Sequence, residues 1–327
     1  VLIRISPCIR PVCYEPLDST HPGTQGFDRF ADVIMQFVDA AESLLKGELA
    51  QPFNIGSEAL RDCAARSEHP GTQSKQTLLT LATQQVAVGL EQCDLLRGVS
   101  AVLRADFVVF APFPLARTSA VVAAKAWYVL TADSREERLR RYLNEELAAL
   151  YGAPLPLSDD KAVQFRTDRT TDYLAVGATA GLTPVYRKNP RPWDAPFLVR
   201  GQAKTEAPPA ETQLVKDLFQ AAGLQERELA GLPYSLLSAA THGRFRHAGL
   251  VGYAPTGPSV GGVSPAAMGV TLEVAAHSIM YAALATRTYL YALARYTSVA
   301  EAVVLERLQQ SVADWSALAF GHQSTTS

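Results

Sequence analysis

From Phe27 onward, apolar residues recur every three to four positions. Phe27, Phe30, Val33, Ile34, Phe37, Val38, Ala41, Leu44 and Leu45 form one stripe on a helix running from Phe27 to Lys46. Gly47 and Pro52 stop it. A second helix is predicted over Ser57 to Arg66, with Ser57 as its cap, followed by a turn at His69-Pro70-Gly71. The pattern from Thr72 to about Arg104 fits one long helix, or two broken near Gly98. Leu115 to Leu130 is apolar on most faces, which predicts a central buried helix. Asp133 or Ser134 caps a charged helix from Arg135 to Tyr151, and Asp159 to Ala180 forms another.

Gly181 to Pro209 holds six prolines and reads as an irregular connector, with a short extended piece at Pro184 to Arg187. Glu211 to Ala222 and Pro233 to Gly243 are predicted as short helices. Gly252 to Gly262 reads as a Gly/Pro loop. Pro265 opens the longest clean helix, to about Arg295, and Ser298 caps a last one through Ala319. The expected fold is all-α: a multi-helix bundle interrupted by a Pro-rich connector.

Residues 1–26 read as an extended N-terminal arm, since Arg4, Pro7, Arg10, Pro11 and Pro16 break any secretory apolar region. Residues 27–320 form the helical domain, and the connector at 181–210 is where a subdomain break would fall. Residues 321–327 are a polar, flexible tail. The pentapeptide His-Pro-Gly-Thr-Gln occurs at His21 to Gln25 and at His69 to Gln73; the flanks do not match, so it is read as a turn motif and not as a repeat.

The chain has 327 residues, 48% of them hydrophobic, enough for a sizeable core. Mean hydropathy is +0.03. The most apolar run, Val99 to Val109, is interrupted by Arg104 and Asp106 and is too short for a membrane span. A soluble, cytoplasmic protein without a membrane partner is expected. A net charge of −2 lacks the basic excess of a dedicated nucleic-acid binder, which argues against such a partner. Four cysteines, Cys8, Cys13, Cys63 and Cys93, fit neither a disulfide scaffold nor a zinc site.

The chemistry concentrates on one short helix. Tyr234, Ser238 and His242 stand at i, i+4 and i+8, a polar file along an otherwise apolar helix. Hydroxyls ending in an imidazole suit proton transfer or ligand hydrogen bonding, so these three are the candidate catalytic residues, with His242 as acid/base. The competing interpretation is a set of polar residues satisfied by neighbouring helices. Arg117 opens an apolar helix, where a buried guanidinium needs a carboxylate or a bound anion. Arg117, Glu273, His277 and Trp127 are the candidate ligand-binding residues. Glu273 and His277 share a helical face, but their spacing matches no helical metal motif, so no metal is expected.

Arg244 and Arg246, between His242 and His247, read as a solvated helix end. The glycines from Gly257 to Gly269 match no phosphate-binding fingerprint, and no other cofactor motif is present. Arg135, Arg138, Arg140 and Arg141 alternate with Glu136, Glu137, Glu145 and Glu146, which reads as a solvated, salt-bridged face.

Pro114-Leu115-Ala116-Arg117, Ala126-Trp127-Tyr128-Val129-Leu130, Arg138, Arg141 and Glu145, then Tyr234, Ser238 and His242-Gly243, resemble a group of uncharacterised helical proteins from high-GC bacteria. That group is similar to HEPN-like bundles, and the resemblance spans about residues 113–243. It implies a nucleic-acid-acting or defence protein. The chain departs from the nuclease pattern, because no Arg stands four to six residues before His242 and no Glu soon follows Arg117. Three functions are therefore expected in order: a small-molecule-binding enzyme with an interhelical pocket, of the kind used in specialised metabolism; a HEPN-like protein; and a non-catalytic scaffold, a homodimer through the long helix after Pro265.

Overall fold

The structure is a computed structural model. It describes residues 25–65, 72–105, 111–156, 158–201, 206–224, 227–242, 252–255 and 266–320. The expected arm and tail lie almost wholly outside these residues. So do both cysteines of the arm, the segment carrying Arg244, Arg246 and His247, and most of the Gly257 to Gly269 stretch.

The described residues form ten helices and two short antiparallel hairpins. The helices are α1 (Gln25–Lys46), α2 (Glu58–Ala65), α3 (Thr72–Leu103), α4 (Pro112–Leu130), α5 (Arg135–Gly152), α6 (Asp160–Thr179), α7 (Glu211–Ala221), α8 (Arg227–Thr241), α9 (Leu272–Thr297) and α10 (Glu301–Phe320). Strands β1 (Thr183–Val185) and β2 (Phe197–Val199) lie between α6 and α7, and β3 (Gly252–Pro255) and β4 (Ala266–Gly269) between α8 and α9. The fold is all-α. No described helix is long and apolar enough to cross a membrane.

The stripe on α1 does what its spacing predicts. Phe30, Ile34, Phe37, Val38, Ala41 and Leu44 are fully buried. Burying a Val, Leu, Ile or Phe side chain is worth about 1.5–3 kcal/mol. Trp315 of α10 fits between them, its ring edge-on to Phe30 at 5.5 Å and to Phe37 at 5.9 Å. Its indole N–H donates to the Ala276 carbonyl of α9 at 3.1 Å, so the large apolar body is buried without orphaning its one donor.

The centre of the bundle is α9. It buries 17 of its 26 residues, against 10 of 19 in α4. It lies against α1, α2, α3, α4, α7, α8 and α10. Alanine at positions 275, 276, 282, 283, 285, 292 and 294 keeps its surface thin enough for that many neighbours. Its start differs from expectation. Thr271 accepts from the Val274 amide as the N-cap, and Ala266–Gly269, expected in the helix, pairs as a strand with Gly252–Pro255. Ser298 ends the helix in a left-handed conformation at φ 58°.

Helix α3 is continuous through Gly98. At Gly89 an added Cβ would stand 2.5 Å from Leu45 Cδ2, so glycine here permits the close approach of α1. Helix α8 begins at Arg227 and carries Pro233 inside it, where the sequence pattern places the start. The connector after α6 is also more ordered than its prolines suggest. Thr183–Val185 pairs antiparallel with Phe197–Val199. The Asn144 amide of α5 clamps the second strand, donating to the Leu198 carbonyl at 3.1 Å and accepting from its N–H at 2.7 Å. Leu198 is fully buried and packs over Gly177 of α6.

The charged helix α5 is the clearest correction. Arg138 is 3% exposed and Arg140 5%, so they do not belong to a solvated face. The alternation of signs made them look solvated, but their acidic partners come partly from other elements.

Candidate functional site

Two polar centres stand out, and they differ in whether their donors are used. The first surrounds Arg138. Its Nε donates to Asp62 Oδ2 at 2.7 Å and its Nη2 to Glu58 Oε2 at 2.7 Å. Tyr296 of α9 donates its hydroxyl to Asp62 Oδ2 at 2.8 Å, and the guanidinium lies 5.0 Å from the Tyr296 ring centre. Burial and the neighbouring Asp62 carboxylate push the Tyr296 hydroxyl far above its ordinary range, which keeps it protonated as a donor. Beside this network a cavity of about 450 Å³ is lined by Glu58, Arg61, Ala64, Asp133, Ser134 and Arg135. Several of its side chains are engaged with the protein itself. Glu58 joins Arg61 to Arg138, Arg61 also donates to the Gly56 carbonyl, and Ser134 caps α5 by accepting from the Glu137 amide. This centre ties α2, α5 and α9 together.

The second centre is at the contact of α4 with α8. Pro112 at the start of α4 costs no helical hydrogen bond, and the helix carries Arg117 in its second turn. The Arg117 guanidinium lies 5.1 Å from the Tyr234 ring centre. Its Nη2 donates to the Tyr234 hydroxyl at 2.8 Å. Because that oxygen is the acceptor, the phenolic proton is left to donate elsewhere.

Both residues are half-buried. Arg117 Nε is buried and has no hydrogen-bond partner among the described residues. No carboxylate there lies within ion-pair distance of it. The other cation of α4, Lys125, is held by Glu211 at 3.0 Å and Glu145 at 3.7 Å. Of the five N–H donors of a guanidinium, Arg117 gives one to the described residues. A desolvated donor without a partner costs about 1–3 kcal/mol, and more where it carries charge. Arg287 of α9 likewise has a buried, unpaired Nε, but no hydroxyl accepts from it among the described residues.

The remaining candidates are placed as follows. Ser238 is half-buried one turn beyond Tyr234, and His242 is exposed at the helix end, its amide donating to the Ser238 carbonyl at 3.0 Å. Eight residues of helix put His242 about 12 Å from Tyr234 along the axis, so the file runs outward to solvent and its ends do not touch. Glu273 is exposed. His277 is half-buried and turned inward, with Nε2 3.2 Å from the Tyr281 hydroxyl and its ring 5.2 Å from Phe320. Burial lowers its pKa, against an opposing effect of Glu273. No hydrogen bond or ion pair among the described residues joins Glu273 or His277 to Arg117 or Tyr234. Trp127 is half-buried against the core. No cluster of three or more metal-ligating side chains occurs among the described residues.

The structure thus brings together Arg117 and Tyr234 from the sequence candidates. It adds a centre that sequence reasoning missed, Glu58, Asp62, Arg138 and Tyr296. No family model, curated protein or solved structure matches the chain.

Proposed function

We propose that this chain binds a small organic anion, bearing a carboxylate or phosphate group, at the α4–α8 contact through Arg117 and Tyr234. The observation that carries this is the half-buried Arg117, with no carboxylate within reach among the described residues and most of its donors unspent. An anion supplies what the local structure leaves out: acceptors for the guanidinium and compensation for its charge. The ring of Tyr234 holds the guanidinium in place from one side, and its free phenolic proton provides a second donor. This is a donor pair from two helices, the kind of polar group that fixes a ligand's orientation.

The Arg138 centre does not support a rival site equally well. Its donors and acceptors are engaged with one another, so an incoming ligand would have to break buried ion pairs.

The test is a thermal-shift panel with acetate, benzoate, inorganic phosphate and phenyl phosphate on the wild type and on Arg117→Met. Saturable stabilisation by at least one anion, absent in Arg117→Met at equal concentration, is the expected result. A panel without any stabilisation, or equal stabilisation of both proteins, would overturn the proposal.

A further inference from the structure

The hairpin β1–β2 displays a surface that the Arg117 site does not use. Six large hydrophobic residues are strongly exposed among the described residues. Three of them, Phe165 at 54%, Tyr186 at 59% and Trp193 at 60%, belong to this region. Two contacts shape the loop. Arg166 Nη1 donates to the Pro192 carbonyl at 3.1 Å, which sets α6 beside the hairpin loop. Arg187 pairs with Asp194 at 3.1 Å, which closes the loop that carries Tyr186 and Trp193. The Asp194 carboxylate also accepts from the Arg191 amide at 2.9 Å, so the loop is shaped by its one acid.

The same loop is basic. Between the strands, from Tyr186 to Pro196, it carries Arg187, Lys188 and Arg191 against Asp194 alone, three positive charges and one negative, on a chain whose net charge is −2. All three cations are exposed. Arg191 stands 5.8 Å from the Trp193 ring centre, and Arg166 5.1 Å from that of Tyr151.

We infer that this face is a docking surface for single-stranded nucleic acid. Exposed rings supply stacking platforms that every base can use, and the cations follow the phosphates. The composition favours this over a lipid surface. The exposed aliphatic residues Ile55, Leu60 and Leu305 all lie elsewhere, and the patch itself exposes large apolar groups only as aromatic rings. Insertion into a bilayer draws on aliphatic and aromatic side chains alike, whereas stacking needs rings. The whole-chain charge, which argues against nucleic acid, does not describe this loop. The inference is independent of the Arg117 site.

The test is fluorescence anisotropy of a labelled oligothymidylate of about twelve residues, at about 50 and 200 mM salt. The proteins are the full-length wild type, the double variant Tyr186→Ala/Trp193→Ala, the double variant Lys188→Ala/Arg191→Ala, and Arg117→Met. These loop positions are exposed, and an unchanged melting temperature confirms an intact fold. Saturable binding that weakens with salt, falls at least about tenfold in each loop variant and persists in Arg117→Met is the expected result; tenfold corresponds to about 1.4 kcal/mol, within the range of one stacked base. Phosphatidylserine vesicles and polyglutamate are titrated in parallel. The inference is overturned by an absence of saturable binding at low salt, by full binding in the aromatic double variant, or by vesicles or polyglutamate binding as tightly with the same dependence on Tyr186 and Trp193.

Discussion

Arg117 and Tyr234, 117 residues apart in sequence, form one unit across the α4–α8 contact. The guanidinium faces the ring at 5.1 Å and donates to its hydroxyl at 2.8 Å. The arrangement holds a cation in place with a neutral partner, so its charge remains available.

Tyr234→Phe keeps the ring and removes the acceptor. A hydrogen bond from a charged donor contributes about 1.5–3 kcal/mol at most, less where the pair is half-exposed. The expected outcome is a loss of about 1 kcal/mol in urea unfolding, with unchanged secondary structure. Tyr234→Ala, which also removes the face that the guanidinium rests on, should cost more.

The Arg138 centre should behave in the opposite way, as structure. Arg138→Met leaves Asp62 in a site where it is 2% exposed with only the Tyr296 hydroxyl to face it. Breaking a buried pair by removing one partner typically costs about 3–5 kcal/mol. Denaturant unfolding should show a loss of that order, and a loss below about 1 kcal/mol would contradict the role given to this network.

Gly89→Ala separates packing from helix propensity. Alanine favours a helix interior by about 1 kcal/mol over glycine. Here its Cβ would stand 2.5 and 2.9 Å from the two methyl carbons of Leu45, a residue 1% exposed in the core. Overpacking costs about 1–3 kcal/mol, so the substitution should destabilise the protein despite the propensity gain. A rise in melting temperature would show that α1 and α3 are not held as closely as described.

His277 links stability to pH. Burial lowers its pKa below the usual value near 6.5, so below that value the unfolded chain binds the proton first. Stability is full above about pH 6.5 and falls as the pH drops through it. In unfolding measurements from about pH 7.5 to 5.5, His277→Gln should flatten this decline relative to the wild type. Equal slopes would exclude His277 as the source.

The elements that were legible in the sequence are those whose signal is local. The α1 stripe and the Ser134 cap each follow from residues within a few positions of one another; Ser298, expected to cap the last helix, instead ends α9. Arg117 was legible because a lone cation in an apolar run is a local conflict. Its partner was not, since nothing near residue 117 points to Tyr234. Arg138 was misjudged for the same reason: its glutamates are nearby in sequence, while the carboxylates that bury it, on Asp62 and Glu58, lie 76 and 80 residues away. The pairing of Gly252 with Gly269 was hidden by glycine and proline, which signal a loop equally well.

The anion-binding proposal rests on the unspent donors of Arg117. Its most direct test is isothermal titration of the most stabilising anion of the panel into the wild type, Arg117→Met and Tyr234→Phe, each first shown to be folded. One site per chain and a Kd raised at least about tenfold in Arg117→Met are expected, from the loss of charged hydrogen bonds, with a smaller rise in Tyr234→Phe. An Arg117→Met protein that binds the anion with the wild-type Kd would contradict the proposal.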